Sequence, residues 1–167
     1  MELETFLKVV KKVLSTLFEK DSFLIKNNTH EKSISHKIAF YLENELRNFL
    51  EENNYSIDIE YNRYLEDPKR SKELDDNLII PDIIIHKRWE NNENSNFAVF
   101  EVKKWELNKN DIKKLQEMTK KYWEFKYEYW IWLYKFDVIS KSCKIDIYKN
   151  WQKIKTLYFN DWKIHNV

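Results

Sequence analysis

Glycine is absent from this chain, and its 167 residues include only two prolines and one cysteine. Without glycine, the Gly-rich phosphate loops and the dinucleotide-binding fingerprint are excluded in their usual forms. Left-handed backbone must then fall on Asn and Asp, the next residues to tolerate a positive φ. The lone Cys143 excludes an internal disulfide and a cysteine-based zinc cluster. No charge of one sign dominates: 29 Lys and Arg stand against 28 Asp and Glu, so any basic surface must come from segregation and not from the total. No apolar run approaches the ~18 residues of a membrane helix. Residues 1–12 mix acids, bases and apolar side chains where a signal peptide would be uniformly apolar. The expectation is an intracellular, cytoplasmic protein with no membrane partner.

What is present is a globular balance of 43% hydrophobic and 34% charged residues, which suits one domain over 1–167. Residues 3–19 carry Leu3, Phe6, Leu7, Val10, Val13, Leu14 and Leu17 at helical spacing. Residues 21–29 read as a loop, with Thr29 placed to cap a second helix that runs to about Glu52. Its stripe is Ile34, Ile38, Tyr41, Leu42, Leu46, Phe49 and Leu50. The period then changes to two: Tyr55, Ile57, Ile59 and Tyr61 alternate with polar residues as a strand with one wet face. Strands are also expected over 78–86 (interrupted by Pro81 and Asp82), 97–104 and 127–136, with a closing hairpin about Asn150. A third helix starts at Asn108. The predicted class is α/β in the mixed α+β sense, a central mixed sheet flanked by helices.

Two of these strands hold charges where a buried sheet should not. Asp82 interrupts one, and Glu101 and Lys103 interrupt the other. A charge in a central strand costs several kcal/mol unless it is paired or binds a metal. By the period of two, Phe97, Val99, Glu101 and Lys103 share one face. A turn through 91–96 makes the two strands neighbours and brings Asp82 beside Glu101. Paired carboxylates suit Mg²⁺, or Mn²⁺ in its place, and the Val102 carbonyl can add a further oxygen. Such an ion acidifies bound water and offsets charge on a phosphate, while Lys103 can orient the water or stabilise the transition state.

Pro81-Asp82 followed by Glu101-Val102-Lys103 at the end of an apolar strand resembles the PD-(D/E)XK nuclease superfamily, the restriction-endonuclease-like fold. That resemblance implies an αβββαβ core, here over 29–136, with an N-terminal helix and loop over 1–28 and a hairpin extension over 137–167. It implies a metal-dependent nuclease, a DNA endonuclease first, with Asp82 and Glu101 as metal ligands and Lys103 as the catalytic lysine. It also implies an auxiliary acid on the helix before the first core strand, which Glu31 matches, and a polar residue on the helix after the motif, which Gln116 matches. The tripeptide alone is weak, because Asp67-Pro68-Lys69, Asp111-Ile112-Lys113, Glu124-Phe125-Lys126 and Asp161-Trp162-Lys163 fit it too. The flanking apolar strand and Pro81-Asp82 single out residues 101–103.

Other candidates carry bland readings beside the functional ones. Glu31 serves equally as a helix-start acid. His30, His36 and His86 read as helix-end or strand-end residues, and Glu60 as an exposed strand carboxylate. Lys104 and Lys113, with Lys114, Lys120 and Lys121, are candidate phosphate contacts or a solvated face. Trp123, Tyr127, Tyr129, Trp130, Trp132 and Tyr134 can stack unpaired bases, fill the core or meet a second copy; core is the default. Nucleic acid, a homodimer and a targeting subunit are the expected partners. A catalytically inactive binding module on the same fold is the alternative function.

Overall fold

The computed structural model describes residues 1–71, 77–90, 92, 94–105, 125–150, 152–160 and 163–166. Three helices come first: α1 (Leu3–Lys20), α2 (Ser22–Lys26) and α3 (Glu31–Asn53). Four strands, β1 (Ser56–Ile59), β6 (Ile83–His86), β7 (Asn96–Lys103) and β8 (Tyr129–Asp137), join β9 (Ser142–Lys149), β10 (Gln152–Asn160) and β11 (Lys163–Asn166) in one seven-stranded sheet. Its spatial order is β1-β6-β7-β8-β9-β10-β11. Between β1 and β6 lie two small ribbons, β2 (Arg63–Tyr64) with β3 (Asp67–Pro68), and β4 (Arg70–Ser71) with β5 (Asn77–Leu78). Only β7 and β8 pair in parallel among the described strands, so the sheet is mixed as expected. No helix among the described residues is long and apolar enough to cross a membrane.

The two helical stripes explain the first layer. Phe6, Leu7, Val10, Val13, Leu14, Leu17 and Phe18 of α1 are buried, as are Ile34, Ile38, Ala39, Leu42, Leu46 and Leu50 of α3. Both stripes pack on one sheet face, against Ile83, Ile85, Phe100, Val102, Ile131, Leu133, Ile145 and Ile147. Truncating any one of these to Ala would cost about 2–5 kcal/mol. The opposite face carries a second cluster of Ile84, Val99, Trp130, Trp132 and Tyr148, joined by Ile79, Phe125 and Tyr127. Trp130 stacks on Tyr148 at 4.1 Å, and Trp132 on Tyr134 at 4.0 Å. The aromatic strand is therefore core on both faces within one chain, and it needs no second copy to cover it.

Several boundaries differ from the sequence expectation, each for a physical reason. The loop over 21–29 contains α2. His30, not Thr29, caps α3: its Nδ1 accepts the Lys32 N–H at 3.3 Å, while the Thr29 hydroxyl donates to the Leu24 carbonyl. The run 78–86 becomes a strand of the main sheet only from Ile83, because Pro81 lacks an N–H for a ladder. Phe97 leaves the face of Val99, Glu101 and Lys103. A bulge opposite Ile85 and His86 turns it into the helix-side core, edge-on to Phe6 at 4.9 Å. The helix expected from Asn108 lies outside the described residues, and with it Lys113, Lys114, Gln116, Lys120, Lys121 and Trp123.

A chain without glycine still has to turn. Nine described residues hold positive φ, and only Asn28, Asn54 and Asn150 are asparagines. Lys141, exposed in the turn between β8 and β9, has φ 46°. An L-residue there costs roughly 1–2 kcal/mol that glycine avoids. Lys141→Gly is accordingly expected to raise the melting temperature by a few degrees, after glycine's own entropy cost of about 0.5–1 kcal/mol. Thermal unfolding followed by circular dichroism checks this; an unchanged or lower midpoint would show that the turn carries no such strain.

Candidate active site

The β6–β7 hairpin places the acidic residues. Ile83 pairs with Phe100, so Asp82 sits one step further along, opposite Glu101. The Val102 N–H donates to Asp82 Oδ2 at 2.7 Å. In a strand a residue's N–H and C=O point to the same side, so the Val102 carbonyl faces the flank that Asp82 occupies. Glu101, 2% exposed, lies between that flank and Trp132 of β8. Its Oε1 is 3.3 Å from Lys103 Nζ, and Lys103 Nζ is also 3.5 Å from Glu31 Oε2.

Glu31 reaches this cluster from the first turn of α3, where the helix dipole favours an acid. Its second oxygen, Oε1, accepts the Lys104 N–H at 3.0 Å. One carboxylate thus ties the first turn of α3 to the end of β7. Two carboxylates, Glu31 and Glu101, hold the Lys103 ammonium at one end of the sheet, and Asp82 is fastened to the Val102 N–H next to it. Glu31, Asp82, Glu101 and Lys103 come together from three separate segments, as anticipated.

The remaining candidates separate from the cluster. Lys104, just after β7, is 8% exposed and donates to Asn28 Oδ1 at 3.0 Å, so its ammonium is fastened to the loop between α2 and α3 and does not face outward to a phosphate. Glu60 falls just beyond β1 at φ 50°, not on the strand, and pairs with Lys32. Its N–H donates to the Asp82 carbonyl at 3.2 Å, which makes it a neighbour of the site. His36 lines the outer groove between α3 and β1. Another buried carboxylate, Asp146, lies beyond Trp132 on β9 and is taken up by Lys153, Thr156 and Tyr134.

Further along the same face is a polar cluster that the sequence alone did not reveal. Buried His86 holds Asp58 Oδ2 at 2.8 Å through Nε2, and Arg88 grips both Asp58 oxygens at 2.9 and 2.5 Å. Burial alone would raise the Asp58 carboxyl. Hydrogen bonds from His86 and Arg88, then their charges, outweigh it and hold the group far below the carboxylate range. Burial pushes His86 below its usual value, only partly opposed by Asp58. Asp58 therefore stabilises the fold fully above its unfolded value near 3.8, and that contribution is lost as the pH falls towards the folded value. Asp58→Asn should cost about 1–3 kcal/mol at pH 7, and the gap from wild type should close towards pH 2. Urea titrations at both pH values test this; a gap that persists in acid would mean the loss is one of packing. The signal was in the alternation: Asp58 and His86 occupy the polar positions of neighbouring strands.

Beside His86, Lys69 is only 3% exposed, with its ammonium 3.0 Å from the Tyr127 hydroxyl and over the rings of Tyr61, Phe125 and Tyr127. Burial brings its pKa down to about 7, with Asp58 opposing. Along β6, His86 lies four residues from Asp82, roughly 13 Å, and Asp58 on β1 stands opposite Ile84, two residues from Asp82.

Among the described residues no group of three or more His, Cys, Asp or Glu side chains is arranged to hold one ion. Cys143, the one thiol, is buried in the helix-side core. The donor set at the end of β7 is therefore all hard oxygen. No protein-family model, no curated protein and no solved structure matches this chain.

Proposed function

We propose that this protein is a metal-dependent nuclease that hydrolyses phosphodiester bonds in DNA and acts in the cytoplasm. One observation carries the reading: Glu31 and Glu101 hold Lys103 at the end of β7, with Asp82 bound to the Val102 N–H beside them. That is the arrangement which the likeness to PD-(D/E)XK nucleases implies. Buried charge is expensive, and a fold that places Glu101 beside Lys103 in a central strand is stabilised poorly by it. A chemical use accounts for the arrangement better than packing does.

The residues fit a hard divalent cation. Mg²⁺ binds through one or two carboxylates and keeps several waters, so a cage of three side chains is not required. Asp82, Glu101 and the Val102 carbonyl would hold the ion, with Mn²⁺ as a substitute. When bound, it would acidify water and offset phosphate charge. The chain's own groups do the rest. Lys103 holds its ammonium where an attacking water or a phosphate oxygen can accept from it. Glu31 fixes Lys103 from one side and the Lys104 backbone from the other, so the ammonium is positioned before substrate arrives. The Val102 N–H orients Asp82.

A homodimer would supply two sites for the two strands of a duplex, and a partner subunit could supply targeting. The second reading is a binding module on the same fold without catalysis. Calorimetric titration with Mg²⁺ and with Mn²⁺ separates them. The nuclease reading expects saturable binding that is lost in the Asp82→Asn, Glu101→Gln double variant. Wild type that binds neither ion, alone or with a DNA oligonucleotide, would sink it.

A further inference from the structure

We infer that Trp105 is a stacking platform for an unpaired base next to the cleaved phosphate. The substrate is then single-stranded or locally unpaired nucleic acid. This rests on the nuclease reading above. Tyr127, Tyr129, Trp130 and Trp132 cannot do this work because all are buried, and half-buried Tyr134 is already stacked on Trp132 at 4.0 Å. Trp105 is the opposite case, 73% exposed directly after the Glu101–Lys104 segment.

Its backbone is nevertheless pinned. The Lys104 N–H donates to Glu31, and the Lys104 carbonyl accepts from the Phe136 N–H at 3.3 Å. The Trp105 carbonyl accepts from the Lys135 N–H, also at 3.3 Å. The Lys104 side chain is fastened to Asn28. A large flat apolar ring therefore stands in water on a fixed support. Only Lys104 separates it from Lys103, a reach of at most about 7 Å of chain.

Any base offers a π-face to such a ring, so the contact selects no sequence. In a duplex both faces of each base are already stacked on neighbours. An indole this close to the reacting phosphate finds a partner only once a base has left the stack. Trp89 supplies the control. It is 69% exposed, but lies beyond the His86 end of the hairpin, about 20 Å from Lys103.

The experiment uses a labelled single strand, a blunt duplex and a duplex with an unpaired flap. Binding is read by fluorescence anisotropy without divalent metal, and cleavage with Mg²⁺. Wild type should bind and cut the single strand and the flap in preference to the blunt duplex. Trp105→Ala should weaken single-strand binding about 5- to 150-fold. Trp105→Phe should retain most of it, and Trp89→Ala should match wild type. Trp105→Ala indistinguishable from wild type on the single strand would overturn the inference, as would a wild type that prefers blunt duplex or binds no single strand. A wild type that binds through Trp105 yet cuts nothing with any metal would overturn the nuclease reading and uphold the platform.

Discussion

A Glu101→Gln protein is expected to fold like the wild type and to lose metal-dependent cleavage by about 10²–10⁴-fold. Glutamine keeps the shape of a side chain that is 2% exposed and removes only its charge. The change removes the charge of a proposed metal ligand and of one of the two carboxylates that hold Lys103. Lys103→Gln should lose activity to a similar degree, since the ammonium is the group placed for the attacking water or phosphate. Lys103→Ala is a poorer probe. It leaves the Glu101 charge buried without its cation, a change that costs about 3–5 kcal/mol in comparable pairs. Cleavage rates measured beside a thermal melt separate the two effects. A folded Glu101→Gln protein with wild-type rates would remove this carboxylate from the chemistry.

The second large effect concerns stability. Lys69 titrates at about 7 in the fold against 10.5 as its ordinary value. Between those values the unfolded chain binds a proton that the folded chain does not, so stability rises with pH across that window. Below about pH 7 the full penalty of burying the ammonium is present; near 10.5 it has faded. A shift of this size corresponds to ~5 kcal/mol. Lys69→Met removes the charge from the aromatic setting of Tyr61, Phe125 and Tyr127 and also forfeits the contact with the Tyr127 hydroxyl, worth about 1 kcal/mol. The variant should be more stable than wild type by roughly 3 kcal/mol at pH 6, with little gain at pH 10.5. Urea unfolding at both pH values decides it. An equal gain at both, or a loss at pH 6, would show that the ammonium is well compensated where it lies.

The sequence made the helix-side layer and the heart of the site legible because both rest on short periods. Spacing of three and four placed Phe6 through Leu17 and Ile34 through Leu50 on buried faces. Charge at strand positions pointed to Asp82, Glu101 and Lys103, and α3 brings Glu31 to them. What stayed hidden depends on partners remote in sequence. Lys69 reads as one of many surface lysines until Phe125 and Tyr127 close over it. Lys104 looked free until Asn28 received it, 76 residues earlier in the chain. The bulge that turns Phe97 inward has no glycine to announce it. β11 was missed because residues 163–166 are too few to establish an alternation.

The proposed role of the carboxylates at the end of β7 is phosphodiester hydrolysis. It is tested most directly by incubating a labelled single strand and a supercoiled plasmid with wild type in Mg²⁺, in Mn²⁺ and in EDTA, with folded Glu101→Gln alongside. The expected result is cutting that needs the ion, stops in EDTA and is lost in the variant. No cutting by well-folded wild type with either ion, or equal cutting by the variant, would contradict it.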